Sequence, residues 1–249
     1  MIYVMSDIHG NARRFRSVIK QIDLQPEDTL YVLGDVIDRY PDGIKILRWI
    51  MSMPNAKMLL GNHEYMMLNV IDPKSDSNRD AFRDMKLWYR NHGLVTHEYL
   101  KRIRKSVRQE IIGYLNNLPL NIDVEVNGKR YLLVHGSPVE LYSEYDYRYN
   151  SPTEFAVWHR LECAERSAAG KTIVFGHTPT SHYQNNNPLE IWHSRGGDQI
   201  GIDCGCGYPP AEEQISHPVY GRLACLRLDD MKVFYSEEEI PEKVEEVLW

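Results

Sequence analysis

The chain has 249 residues, 43% of them hydrophobic and 26% charged, which suits one large globular domain with a sizeable core and makes disorder the poorer expectation. A net charge of −6 argues against a dedicated nucleic-acid binder, which would carry a basic excess, and no apolar stretch approaches the roughly 18 residues of a membrane span. The first residues, Met1 to Asp7, hold no basic leader and their apolar run stops too early for a signal peptide, so a cytoplasmic protein with four reduced cysteines is expected.

Residues 1 to 6 read as a short buried strand, followed by the turn Asp7-Ile8-His9-Gly10-Asn11 and a helix with Phe15, Val18, Ile19 and Ile22 on one apolar face. The pattern recurs. Thr29 to Leu33 is a strand, Gly34 to Tyr40 a loop, and Pro41 suits the first position of a helix running to about Met53. A third unit has a strand at Ala56 to Leu60, the loop Gly61-Asn62-His63-Glu64 and a short helix from Tyr65 to Val70. Three strand-loop-helix units imply an α/β core whose sheet begins parallel.

Residues 72–118 break this rhythm, being polar and helical after a loop from Asp72 to Asn78, and read as a helical cap inserted in a single domain spanning 1–249. One helix is expected to stop at a left-handed Gly93, and the next to bury Leu100, Ile103, Val107, Ile111, Tyr114 and Leu118. Lys101, Arg102, Arg104, Lys105 and Arg108 then form its solvated face. From residue 121 strands dominate: Asn127-Gly128 turns a hairpin between Ile122 to Val126 and Arg130 to His135, with further strands at 172–176, 189–193, 199–203, 222–228 and 232–235. Cys204 and Cys206 are expected to be small buried side chains, not thiolate ligands.

Five loops share one trait: each follows a predicted strand end and offers Asp, Asn or His beside Gly, where ligands gather in open α/β sheets. They are Asp7-x-His9-Gly10, Gly34-Asp35-x-x-Asp38-Arg39, Gly61-Asn62-His63-Glu64, His135-Gly136 and Gly176-His177. A pair of divalent ions needs such hard oxygen and imidazole donors, one carboxylate able to bridge, and small neighbours. Each piece alone is weak; five in sequence favour chemistry over chance.

These loops resemble the metallophosphoesterase superfamily, and within it the phosphoprotein phosphatase family. The likeness extends over nearly the whole chain, since Trp88 to Thr96 looks like a degraded Trp-x-x-Asn-Gly-Gly-x-x-Thr segment and Val157-Trp158-His159-Arg160 like a Leu-Trp-x-Arg segment. It implies a four-layer α/β/β/α sandwich with two metal ions, Mn²⁺ foremost and Fe or Zn as alternatives. Asp7 and His9 would bind one ion, Asp35 would bridge, and Asn62, His135 and His177 would complete the second. A hydroxide bridging the ions would attack phosphorus directly, and no Cys-x5-Arg loop occurs in the chain. His63 would protonate the leaving group, supported by Asp38, while Arg39, Arg160 and Asn62 would hold phosphate. Arg148 or Arg166 are substitutes for Arg160, and Glu64 is expected to brace the metal loop without binding an ion.

Where the family usually has Asp-Arg-Gly-Pro this chain has Asp38-Arg39-Tyr40-Pro41, and His92 replaces the first glycine of the Asn-Gly-Gly segment. The loop from Gly205 to Tyr220 is either a substrate-facing rim or an ordinary surface loop. The implied function is hydrolysis of phosphoserine and phosphothreonine in proteins. The alternative is hydrolysis of dinucleoside polyphosphates, which would make a nucleotide the partner; a non-catalytic metal- or phosphate-binding module and a phosphodiesterase are poorer fits. Neither a membrane nor nucleic acid is an expected partner.

Overall fold

The computed structural model describes residues 1–73, 80–167, 169–208 and 221–237. Two five-stranded sheets stack face to face. The first has β1 (Ile2–Met5), β2 (Thr29–Val32) and β3 (Ala56–Met58) in parallel, with β9 (Ala224–Arg227) antiparallel beside β1 and β10 (Val233–Tyr235) antiparallel beside β9. The second runs in the order β4 (Asn121–Val126), β5 (Lys129–Val134), β6 (Thr172–Phe175), β8 (Gln199–Gly201) and β7 (Trp192–His193). Its central strands β5, β6 and β8 are parallel.

Alternation along the strands builds the layers. Val4, Tyr31, Leu33 and Leu59 of the first sheet meet Val124, Tyr131, Leu133, Val174 and Ile200 of the second in one cluster between the sheets. Tyr3, Met5, Leu30, Val32 and Met58 point the other way, into a core shared with the helices α1 (Ala12–Ile22), α2 (Gly43–Ser52) and α3 (Asn62–Ile71). Leu132, Val134, Ile173 and Phe175 face outward from the second sheet onto α7 (Pro152–Trp158) and the 3₁₀ turn Val139–Glu144. Strands covered on both faces read as unbroken apolar runs, which is why no polar alternation marks them in the sequence. The result is the predicted α/β/β/α sandwich.

Local capping fixes where helices begin. The Asn11 side chain accepts from Arg14 N ahead of α1, and Ser151 does the same for Glu154 N ahead of α7, where Pro152 occupies the first turn. Asn127 and Gly128 both adopt positive φ, 51° and 77°, as the tight hairpin between β4 and β5 requires.

Several sequence expectations shift. Helix α2 begins at Gly43, after Pro41, and α3 begins at Asn62, so the candidate loop residues Asn62 and His63 lie in its first turn. Gly93 is right-handed, with φ −72°; the left-handed residue is His92, with φ 65°. Glycine is needed at 93 because a Cβ there would stand 2.2 Å from the Trp88 indole. The single long helix after residue 93 is two, α5 (Leu94–Arg102) and α6 (Lys105–Asn116), broken where Ile103 and Arg104 are extended. Together with α4 (Ala81–Arg90), they bring Trp88, Leu100, Ile111 and Leu115 into the core beside α3. The strands predicted at 189–193 and 199–203 shrink to β7 and β8. Part of the predicted 72–78 loop and residues 209–220 of the predicted rim lie outside the described residues. Cys163, Cys204, Cys206 and Cys225 are free thiols, and all but Cys163 are buried. Among the described residues no helix is long and apolar enough to cross a membrane.

Two glycine substitutions separate these constraints. Gly93→Ala is expected to cost about 1–3 kcal/mol, because the Trp88 ring has to move. Gly113→Ala, within α6 and with nothing within 4 Å of the added methyl, is expected to stabilise by about 0.5–1 kcal/mol. Urea denaturation of both variants checks the pair.

Candidate functional site

The carboxyl ends of β1, β2, β3, β5 and β6 all open on one place, and the loops there carry every residue singled out in the five motifs. Asp7, His9, Asp35, Asp38, Arg39 and His177 all adopt left-handed φ between 50° and 69°. For non-glycine residues each such conformation costs about 1–3 kcal/mol, a strain that clusters at functional sites. Gly61 permits a close approach: a Cβ on it would lie 2.3 Å from both the backbone nitrogen and Oδ1 of Asp35.

Asp35 is central and buried. Its Oδ2 lies 3.8 Å from His9 Nε2 and 3.8 Å from His63 Nε2, while its Oδ1 lies 3.5 Å from His135 Nε2. The two oxygens therefore face two donor groups, His9 with His63 on one side and His135 with His177 on the other. Asp7 Oδ1 is 3.8 Å from His9 Nε2, and Asp7 Oδ2 accepts from Ser6 Oγ and from the backbone nitrogen of His177.

Backbone carbonyls assign the tautomers. His135 Nδ1 donates to Leu33 O at 2.7 Å, His9 Nδ1 faces Ile37 O at 3.3 Å, and His177 Nε2 faces Trp158 O at 3.2 Å. In the neutral imidazole forms those protons leave His135 Nε2 and His177 Nδ1 as acceptors, and they approach Asn62 Oδ1 at 3.0 and 2.8 Å. Three such groups so close form a donor set that a cation between them would hold together, and backbone carbonyls of this kind orient metal-binding imidazoles. The donor set, mixed oxygen and imidazole, fits a divalent ion of the Mn, Fe or Zn type.

The electrostatics agree. Burial, then the charge of Asp35, raises the Asp7 carboxyl, and burial with Asp7 nearby holds Asp203 well above the usual range. Burial and Asp35 push Glu64 up to about 7. Burial keeps His9 far below its usual value, helped by Arg39, and brings His177 down to about 3 with His135 nearby. Burial also opposes ionisation of Asp35, but His135, His63 and His9 outweigh it and its carboxyl stays low. Burial thus holds Asp7, Glu64 and Asp203 above, and His9 and His177 below, their usual ranges in one place.

Glu64 braces this arrangement from behind, as expected. Its Oε2 accepts from Asp35 N at 2.9 Å and its Oε1 from Val36 N at 2.9 Å and Ile37 N at 3.2 Å. His63 is held at its other nitrogen: Nδ1 donates to Asp38 Oδ2 at 2.7 Å. Burial lowers the His63 imidazole, yet Asp35 and Asp38 overcome that and leave it raised, favouring the charged, proton-donating form. Trp88 Nε1 donates to the same Asp38 oxygen at 2.8 Å, and Asp38 N donates to Thr96 Oγ1 at 3.0 Å. Those anchors explain why the segment from Trp88 to Thr96 matters to a site from which it is distant in sequence.

Two cavities adjoin the centre. One, of about 620 Å³, is lined by Arg39, Tyr40, Arg90, Asn91, His92 and Tyr208, next to Gly207, which packs on His9. The other, of about 540 Å³, holds Arg148, Arg160, Tyr149, Trp158, His182 and Tyr183, beyond the Trp158 carbonyl that meets His177. Arg166, by contrast, is bound by Asp198 and by the carbonyls of Cys163 and Glu165. His159 is a satisfied buried residue between Tyr149 and Glu165, and His217 lies outside the described residues.

The family profile described as calcineurin-like phosphoesterase matches residues 1–212. The chain belongs to the calcineurin-like phosphoesterase family. As a calcineurin-like phosphoesterase it is a metal-dependent hydrolase of phosphoesters. It is 35% identical to the symmetrical bis(5'-nucleosyl)-tetraphosphatase of Chromobacterium violaceum over 94% of each chain. It is 26% identical to serine/threonine-protein phosphatase 2 of Salmonella typhimurium over 71% of this chain and 78% of that one. With the Photorhabdus laumondii tetraphosphatase the match is confined to 70 residues at 39% identity, so the chain spans 26% of that relative. A metallophosphoesterase structure from Sphaerobacter thermophilus superposes with a TM-score of 0.53 at 18% identity, covering 96% of this chain and 89% of that one, a likeness of fold.

The sequence singled out neither Ser6 nor Asp203, and marked Trp88 and His92 only as part of the Trp-x-x-Asn-Gly-Gly-x-x-Thr-like segment. Trp88 and Thr96 were visible as a segment, but nothing local says that the indole reaches Asp38. Replacing Glu64 tests the brace: Glu64→Gln turns one acceptor oxygen into a donor facing a backbone N–H. It is expected to cost about 1–3 kcal/mol in urea denaturation, the penalty of a buried unsatisfied group.

Proposed function

We propose that this phosphoesterase hydrolyses dinucleoside polyphosphates at a two-ion centre held by Asp7, His9, Asp35, Asn62, His135 and His177. The observation that carries this reading is the pair of cavities, one beside His9 and one beside His177, each joining arginines to aromatic rings. A polyphosphate chain with a base at either end has that shape: central anionic groups and two planar rings. The Chromobacterium relative, matched over 94% of its length, supports it.

Two bound ions, Mn²⁺ by preference, would supply Lewis acidity and lower the pKa of a water at the centre. The chain's own residues do the rest. Asp35 offers one oxygen to each donor group, and Asn62, with Arg39 and Arg160, orients phosphate oxygens by charge-assisted contacts that strengthen as charge builds. His63 delivers its proton to the departing oxygen, with Asp38 fixing its tautomer and Trp88 fixing Asp38. Residues 72–118 act as a cap inserted in the single domain, since Arg90, Asn91 and His92 line the first cavity.

A second reading, hydrolysis of phosphoserine and phosphothreonine, rests on the His63 and Asp38 pair, because an alkoxide is a poor leaving group and needs a proton donor. The Salmonella relative supports it.

Two measurements decide. In metal analysis, Asp35→Asn is expected to lose bound Mn²⁺, whereas His63→Asn keeps it but loses about 10²-fold or more turnover of a phosphothreonine peptide. Equal metal loss would overturn the division of roles. After chelation and return of Mn²⁺, diadenosine tetraphosphate is expected to exceed both p-nitrophenyl phosphate and the phosphopeptide in kcat/KM. If the monoesters win, the phosphoprotein reading replaces it; if nothing turns over, the chain is a binding module.

A further inference from the structure

The cavity beside Arg39 is where this chain departs from the pattern it resembles. Tyr40 stands where that pattern has the glycine of Asp-Arg-Gly-Pro, and His92 where it has the first glycine of Asn-Gly-Gly. The two positions are far apart in sequence, yet both line one 620 Å³ cavity. His92 keeps the backbone conformation that suits glycine, with φ 65°, and an L side chain there costs about 1–2 kcal/mol. Its carbonyl accepts from Arg39 N at 3.4 Å, so the loop that bears Arg39 and the end of α4 meet at this strained residue. Strain kept where glycine would relieve it points to a use for the imidazole.

The other walls suggest what enters. Arg39 and Arg90 bring two guanidinium groups to one opening of a chain whose net charge is −6. Tyr40 is fixed by its hydroxyl, which donates to Tyr208 O at 2.8 Å, so the phenol ring forms a wall instead of swinging across the opening. Guanidinium groups grip phosphate oxygens bidentately, and fixed rings stack on planar bases. A volume of about 620 Å³ lies within the ordinary range for small-molecule sites.

We infer that this cavity is the subsite for the second phosphoryl group and attached base of the substrate, with Tyr40, Arg90 and His92 as the residues that select it. Arg39 would serve the reacting phosphoryl group, Arg90 the next one along the chain, and Tyr40 and His92 the ring beyond. The inference rests on the dinucleoside polyphosphate reading, but its test need not use that substrate.

The test compares inhibition of p-nitrophenyl phosphate turnover by inorganic phosphate and by ADP, with Mn²⁺ in excess. In the unaltered protein ADP is expected to inhibit about tenfold or more strongly than phosphate, because only ADP spans both subsites. Arg90→Ala is expected to bring the two inhibition constants within about threefold of each other, with phosphate inhibition kept as the control for an intact centre. His92→Gly is expected to raise thermal stability by relieving the backbone while weakening ADP alone. Equal inhibition by ADP and phosphate in the unaltered protein, or an ADP advantage that survives Arg90→Ala, would overturn the subsite. If ADP is favoured through Arg90 while diadenosine tetraphosphate is not hydrolysed, the subsite stands and the wider substrate reading falls.

Discussion

The rest of the molecule is arranged around one constraint, the burial of Asp35. A carboxylate taken out of water costs several kcal/mol unless opposite charge or hydrogen-bond donors meet it. Here two further buried acids, Asp7 and Glu64, add to that cost, while His135, His63 and His9 offset it. The imidazoles of His9 and His135 turn toward Asp35 at distances too long for good hydrogen bonds and within reach of an ion that Asp35 would share with each. Glu64 anchors the Asp35 backbone through three N–H groups, so the loop is rigid before any ligand arrives. Pre-positioned donors of this kind cost no reorganisation during reaction.

The sandwich makes this constraint attainable. Parallel strands in each sheet send their carboxyl ends to the same edge, and six loops, counting the one that brings Asp203 near Asp7, converge there. The apolar layer between the sheets and the helices outside them hold the strands, so the loops carry strain that a less supported backbone would release. The left-handed conformations of Asp7, Asp35, Asp38 and His177 are held by that rigid surround.

The centre and its rim obey different rules. Donors around Asp35 answer to the chemistry of a metal-dependent phosphoesterase, shared by relatives named for dinucleotide and for phosphoprotein substrates. The cavities flank that centre and carry arginines and aromatic rings. Arg39 touches both centre and rim: it lines the larger cavity and stands beside Gly207, which packs on His9.

Much of this was legible in sequence, because strand ends and short loops are local. Gly beside Asp, Asn or His after an apolar run marked all five loops, and hard donors in that order implied metal chemistry before any distance was known. The strand and helix order of the first sixty residues also held, since each unit repeats the same apolar spacing. The tertiary structure alone decided what depends on contacts between segments. No local pattern says that Trp88 donates to Asp38, that His92 takes the left-handed turn expected of Gly93, or that the chain breaks at Ile103 to bury both Leu100 and Ile111. The choice of bare nitrogen on each histidine likewise required the carbonyls of Leu33, Ile37 and Trp158 in place. Sequence determined which groups this protein has available; packing decided which of their atoms face one another, because orientation is set by neighbours that the chain brings from far away.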